Sequence, residues 1–177
     1  MHSAKFFYTM IMPSLRIQVE TTPSPAIQAK VAAFLTGHWG STSIVSKGRL
    51  HNASTLPRVA ALTDQDELAG LATFSIDTSA HACEIVSLNA DPPGTGLGAS
   101  LITAVESAAK AAGCHKTWLI TTNSNPEAAA FYTKHGYRLV AVHLDALTQS
   151  RRLKPQIPLQ DDRGIPLLDE WEFEKSL

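Results

Sequence analysis
Cysteine is scarce in this chain. Cys83 and Cys114 are the only two among 177 residues. They set out no disulfide framework and have no partners at a zinc spacing, so a reducing compartment, the cytoplasm, and no metal are expected. Charge of one sign is also missing. Fifteen Lys and Arg stand against 16 Asp and Glu, for a net charge of −1. The one basic run, Arg151-Arg152-Leu153-Lys154, is too small for a nucleic-acid footprint. No apolar run approaches the roughly 20 residues of a membrane span. Internal repeats and low-complexity segments are absent as well. What remains is ordinary globular usage, 44% hydrophobic and 18% charged. Residues 15–177 read as one domain, large enough to bury a core. Residues 1–14 read as a flexible leader. No acid occurs before Glu20, Lys5 and Arg16 are basic, and Phe6 to Met12 is largely apolar. The alternative reading is a mitochondrial presequence leading to the matrix, and Met12 offers a second start.

Periodicity divides the domain into alternating elements. Leu15 to Glu20 alternates apolar and polar and predicts a half-buried strand. Pro25 suits a helix start, and Ala26 to Gly37 carries Ile27, Val31, Phe34 and Leu35 on one face, closed by Gly37. Trp39 to Leu56 is irregular and rich in ligand-capable residues: Trp39, Ser41, Ser43, Ser46, Lys47, Arg49, His51 and Asn52. Arg58–Thr63, Leu68–Ile76 and His81–Asn89 then read as an antiparallel meander with short polar turns. Gly98 to Ala112 is helical, and Lys116 to Thr121 is a buried central strand. The crossover between them makes His81–Asn89 and Lys116–Thr121 parallel. Asn125-Pro126-Glu127 has the N-cap, first-turn proline and first-turn acid of a helix start, and Gly136 ends that helix. Tyr137–Asp145 is a sixth strand, Ala146–Lys154 a helix, and Leu168–Glu174 a seventh strand.

The segment Asp91-Pro92-Pro93-Gly94-Thr95-Gly96-Leu97-Gly98-Ala99-Ser100-Leu101 organises the rest. Glycine at every second position weakens helix and strand alike. It permits a loop whose N–H groups face one point, toward which the next helix aims its positive end. That is an anion cradle suited to phosphate or pyrophosphate. No Lys-Ser/Thr pair follows, as a Walker A loop requires. The Rossmann spacing also fails, and no acid stands about 20 residues on, where Trp118-Leu119-Ile120 lies.

The cradle resembles the acyl-CoA loop of the GNAT superfamily of N-acyltransferases, whose pattern is Gln/Arg-x-x-Gly-x-Gly/Ala. Pro93 stands at the Gln/Arg position, which removes one side-chain contact and one backbone donor. A second segment, Asn125-Pro126-Glu127-Ala128-Ala129-Ala130-Phe131-Tyr132-Thr133-Lys134-His135-Gly136-Tyr137, resembles that family's Asn-x-x-Ala-x-x-Phe-Tyr-x-x-x-Gly-Phe/Tyr stretch. The resemblance runs from Leu68 to Val142. It implies an α/β fold with a mixed, mostly antiparallel seven-stranded sheet and helices on both faces. It implies acetyl-CoA as co-substrate, with backbone contacts from Ser87, Leu88 and Asn89 to pantetheine. Gly94, Thr95, Gly96, Leu97, Gly98 and Ala99 would offer N–H groups to the pyrophosphate. Asn125 would contact the pantetheine arm. Tyr132 would protonate the departing thiolate, since a phenol near pKa 10 keeps its proton at neutral pH. The Trp39–Leu56 region would wall the acceptor.

The base is expected to be Glu84, a carboxylate inside the apolar run Ala82-Cys83-Glu84-Ile85-Val86. An unpaired buried acid must be paired, watered or raised in pKa, and the resembled family draws the amine proton near this position. His51 and His81 are lesser candidates. His115 and His135 look like surface residues, and both cysteines look inert. The expected activity is acetyl transfer to a primary amine of a small molecule, by direct attack in a ternary complex. No acidic trench or basic groove for a protein tail or nucleic acid is evident. A CoA-binding sensor and a protein or peptide N-acetyltransferase are the alternatives. Family analogy also suggests a homodimer through the final strand.

Overall fold
The structure, a computed structural model, describes residues 14–177. The expected leader, its presequence reading and the Met12 start therefore lie outside the described residues, apart from Ser14. Among the described residues nine strands and four α-helices form in chain order: β1 (Arg16–Glu20), α1 (Gln28–Trp39), β2 (Ser43–Ser46), β3 (Arg49–Asn52), β4 (Arg58–Leu62) and β5 (Leu68–Asp77). They continue as β6 (Ala82–Ala90), α2 (Leu97–Ala111), β7 (Lys116–Thr122), α3 (Pro126–Lys134), β8 (Arg138–His143), α4 (Ala146–Leu153) and β9 (Glu170–Ser176). Seven strands make one sheet in the order β1-β4-β5-β6-β7-β9-β8. Every neighbouring pair is antiparallel except β6 and β7. No helix among the described residues is long and apolar enough to cross a membrane.

Period-2 alternation sends successive side chains to opposite faces. Val59, Ala61, Ala72, Phe74, Cys83 and Ile85 pack under α2, whose Leu101, Ile102, Val105 and Ala109 complete that core. Ala60, Leu71 and Val86 point the other way, onto Val31 and Leu35 of α1 and Ile44 of β2. Helices thus cover both faces, and the meander and parallel crossover form as expected.

Three expectations are corrected. The helix beginning near Pro25 runs past Gly37 to Trp39. The terminating residue is Gly40, left-handed at φ 72°, whose N–H bonds Thr36 O as a C-cap. The region from Trp39 to Leu56 contains a β2–β3 hairpin. Its Lys47-Gly48 turn has positive φ at both residues, 47° and 71°, the geometry of a type I′ turn. Its inward residues include Ser46 and His51, both buried, so polar groups hide the alternation. Finally, β9 is paired on both sides, to β7 and β8. It is not an edge, so a dimer cannot add strands through it.

Candidate active site
The parallel pairing of β6 with β7 is short. It runs from Ala82–Lys116 to Ile85–Leu119 and stops, although both strands continue. A bulge lies at this point on the β5 side: Thr73 faces Ser87, but Phe74 faces Ile85, leaving Val86 as the extra residue. Beyond it β6 stays bonded to β5, and its β7 side is open. Four contiguous cavities follow this opening. A space of about 480 Å³ lies over the glycine loop. It shares Leu88, Asn89, Ala128 and Tyr132 with a gap of about 280 Å³ between β6 and β7. That gap shares Trp39, Ile85, Val86, Ile120, Thr121 and Asn125 with a chamber of about 160 Å³. The chamber opens past Ile44, Val45 and Leu147 into an apolar mouth of about 310 Å³.

The loop fits an anionic ligand. Gly94 and Gly96 adopt φ of 80° and 85°, and a Cβ on either would meet nothing within 4 Å. Gly96 is the N-cap of the 15-residue α2, so the first free N–H groups of that helix face the cavity. Gly98 is needed for a different reason, since a Cβ there would sit 3.3 Å from the Phe131 ring. Thr95 and Leu97 do not line the cavity with their side chains. The Thr95 hydroxyl donates to Pro92 O at 3.1 Å, and Leu97 is buried in the core. Their assignment rests on main-chain N–H groups. The opposite wall carries Lys134 and His135, and the His135 ring lies 4.6 Å from that of Phe131. Sequence reasoning placed His135 at the surface and passed over Lys134. Their proximity to the loop comes from the packing of α3 beside α2, which no local pattern announces. Lys134→Ala is expected to weaken CoA binding by up to about fivefold, the scale of an exposed charge contact, with the difference fading at high salt in calorimetry.

Along the gap, Ser87 Oγ shares a 2.7 Å hydrogen bond with Thr73 Oγ1. Asn89 Oδ1 accepts from Trp39 Nε1 at 2.6 Å. His38 Nε2 lies 2.9 Å from Asp91 Oδ2. The end of α1 is thereby strapped across β6, and Trp39 walls the gap, the chamber and the mouth alike. Asn125 caps α3 by accepting from Ala128 N at 3.0 Å. Its amide group stays available to the gap. Tyr132 lines both the gap and the loop cavity. Burial pushes its phenol well above the usual range. Tyr137 differs, since its hydroxyl is bound to Thr117 and Glu106 at 2.9 and 3.2 Å.

Glu84 is 5% exposed and sits on the face opposite α2, behind the chamber. It lines a neighbouring recess with Lys47 and Arg49. Its Oε2 lies 3.5 Å from His51 Nε2. Glu84 Oε1, His51 Nε2 and Ser46 Oγ are all buried without a hydrogen-bond partner. The Ser46 hydroxyl lies beside the Glu84 carboxyl and also lines the chamber, although the two are not aligned into a hydrogen bond. Burial drives the Glu84 pKa up, with the Glu170 charge adding to the shift and Ser46, Arg49 and Lys47 opposing it. Burial, then the Arg49 charge, drives His51 down. An acid with a raised pKa beside a neutral imidazole is a site poised to take a proton. The chamber's own carboxylate is Glu170, 1% exposed, which sequence reasoning missed because it starts a strand of alternating Glu, Trp and Phe. His81 lies away from this assembly, stacked on His115 at 5.2 Å. Burial raises the Cys83 thiol to about 12, with the Cys114 and Glu84 charges adding, so it is no nucleophile at neutral pH.

A carboxyl whose folded pKa is raised contributes full stability below its ordinary range and loses it as pH rises through the folded pKa. Glu84→Gln is therefore expected to gain thermal stability relative to wild type as pH increases from 4 to 8. A gap between the two melting curves that stays constant with pH would exclude this titration.

The comparisons agree with this geometry. Residues 29–137 match the family model described as Acetyltransferase (GNAT) family. YxbD of Bacillus subtilis is 37% identical over 147 residues, covering 83% of this chain and 91% of that protein. An IAA acetyltransferase from Bacillus cereus superposes with a TM-score of 0.66 at 19% identity, over 93% of this chain and 100% of that one. A Bacillus subtilis acetyltransferase in complex with CoA gives 0.63 at 19% identity, over 93% and 99%. The chain belongs to the GNAT acetyltransferase family. It is a transferase with acetyl-CoA as acyl donor.

Proposed function
We propose that residues 15–177 form one domain that transfers the acetyl group of acetyl-CoA to a primary amine of a small cytoplasmic molecule, by direct attack in a ternary complex. The observation that carries this reading is the passage through the sheet at the β6–β7 opening, from the glycine loop to the chamber. The donor enters from the loop side and the acceptor from the mouth, so the two reacting atoms meet without a covalent enzyme intermediate. The main chain of Ser87 to Asn89 and the amide of Asn125 orient the pantetheine, and the N–H groups of Gly94 to Ala99 hold the pyrophosphate. The amine nitrogen attacks the thioester carbonyl carbon. A C–N bond forms, the C–S bond breaks and its electron pair stays on sulfur. Tyr132 gives that sulfur a proton. An acceptor that arrives as an ammonium gives one proton by way of the Ser46 hydroxyl to Glu84, beside His51, before it attacks, and the proton its nitrogen sheds after attack replaces the one Tyr132 gave.

Titration calorimetry with acetyl-CoA, CoA and NADPH tests the first half. Micromolar binding of the first two and none of the third is expected. A thiol-release assay across an amine panel tests the second half. CoA binding with no amine acylated would move the sensor reading ahead. In the same assay Glu84→Gln is expected to lower kcat about 100-fold, with a smaller loss at high pH, where free amine is abundant.

A further inference from the structure
We propose that the acceptor is a small hydrophobic primary amine with no carboxylate beside the amine, its ammonium docked between Glu170 and Ser46 and its apolar tail filling the mouth beyond. This deepens the acetyl-transfer reading above and rests on it.

The head of the site is a built cation position. Glu170 lines the chamber, is 1% exposed, and carries no salt bridge among the described residues. Its oxygens accept only neutral donors, the Ser150 hydroxyl at 3.1 Å and the Lys47 backbone N–H at 3.0 Å. A buried carboxylate without a countercharge is costly. Ser46, 6% exposed, lines the same chamber with an unpartnered hydroxyl. The Glu84 carboxylate stands just behind, near enough for its charge to interact with that of Glu170. An ammonium between Glu170 and Ser46 supplies the missing countercharge, gives Ser46 a partner and relieves the repulsion between the two acids. It also holds the amine next to the hydroxyl that leads to Glu84.

The tail of the site is apolar and selective. The chamber's roughly 160 Å³ lies below the ~300 Å³ at which ordinary ligand pockets begin, so only a slender head enters. The mouth then offers Ile44, Val45, Leu147, Ile157, Pro158 and the Trp39 ring. Its one lysine, Lys154, is held against the main chain, with its Nζ donating to Trp39 O at 3.1 Å and Ser43 O at 2.8 Å. His38 at the rim faces Asp91. A carboxylate next to the amine, as in an amino acid, would lie in the chamber beside Glu170 and be repelled by it. A second cation would find no acid in the mouth to match Glu170.

The test compares alkyl and arylalkyl amines (hexylamine, 2-phenylethylamine) with amino acids and polyamines. Each is titrated calorimetrically into protein saturated with CoA and assayed for acetyl-CoA-dependent thiol release. The hydrophobic amines are expected to bind and to have the highest kcat/KM. Glu170→Gln should raise their KM at least about tenfold, the loss of a charge-assisted contact, while the Kd for acetyl-CoA stays within twofold. Because Glu170 also ties α4 to β9, a second variant is needed. Val45→Phe narrows the mouth and should shift the preferred amine toward shorter tails. Amino acids or polyamines as the best acceptors would overturn the inference and leave acetyl transfer standing. So would a Glu170→Gln enzyme with unchanged amine KM, or a Val45→Phe enzyme with unchanged length preference. Failure of acetyl-CoA itself to bind would overturn acetyl transfer and this inference together.

Discussion
Tyr132→Phe should lower kcat by about 10²- to 10⁴-fold, the usual contribution of a positioned general acid, while acetyl-CoA affinity changes little. The ring must stay for packing. It lies 5.3 Å from Phe131 and 5.7 Å from Tyr137 in edge-on contacts and 6.3 Å from Phe173. Phenylalanine preserves all three, so the melting temperature should hold. Only the hydroxyl is lost, from a residue that lines both the gap and the loop cavity. Burial raises its pKa, so the proton remains in place throughout the neutral and mildly alkaline range. The wild-type rate should therefore show no alkaline limb from this group below pH 10. The defect should shrink with acyl donors whose thiol is more acidic, because such a leaving group needs no proton. A Phe variant that keeps more than about a third of the wild-type kcat would reduce Tyr132 to a packing residue, leaving protonation of sulfur to water.

What the sequence makes legible, and what it hides, follows a physical division. The glycine loop was readable because no element interior tolerates alternate glycines, and the α3 start because Asn125 and Pro126 are chemically committed to a cap and a first turn. The central strand β7 was readable because Trp118-Leu119-Ile120 is apolar on both faces. The β2–β3 hairpin was not. A half-buried strand announces itself by apolar residues on its inner face, and here that face carries Ser46 and His51 beside Ile44. In the proposed function the polar groups that obscure the hairpin furnish the acceptor side, a place where local consistency would give way to function. Glu84 stands out in its sequence context, since a carboxylate in an apolar strand is costly wherever it points. Glu170 does not, because it begins a stretch in which glutamates recur at alternate positions, and Glu170, Glu172 and Glu174 look alike in a string. They separate only in space. Glu172 meets Lys47 and His143, Glu174 meets Lys116, and Glu170 turns into the chamber. Trp39 was noted as ligand-capable, but its role as the wall common to three cavities depends on α1 reaching over β6.

That reach depends on Arg58, and its removal should be the largest stability defect in the molecule. Arg58 is fully buried at the start of β4. Its Nε donates to Glu20 Oε2 at 2.6 Å, Nη1 to Gln28 Oε1 at 3.0 Å and Nη2 to Ser24 O at 2.8 Å. One guanidinium therefore joins β1, the turn after it and the first residue of α1. Arg58→Met leaves the Glu20 carboxylate buried without its countercharge, at a cost of about 3–5 kcal/mol. For a chain of this length that corresponds to a drop of roughly 6–20 °C in Tm. Burial tends to raise the Glu20 pKa, but the hydrogen bonds from Arg58 and Ser24 and the Arg58 charge outweigh it and hold the carboxyl below its ordinary value. The pair's contribution is accordingly present above the usual carboxylate range and lost as pH falls through the folded pKa. The gap between wild type and Arg58→Met should thus be widest near neutrality and close in acid. A double replacement, Glu20→Met with Arg58→Met, should recover much of the loss, since two apolar side chains leave no charge stranded. If the double variant is no more stable than the single one, the arginine acts through Gln28 and Ser24 rather than through charge. In either variant α1 is loosened at its root, while His38 and Trp39 sit at its far end. KM should rise for the amine and for acetyl-CoA alike before kcat falls, because Trp39 walls the β6–β7 gap as well as the chamber and the mouth.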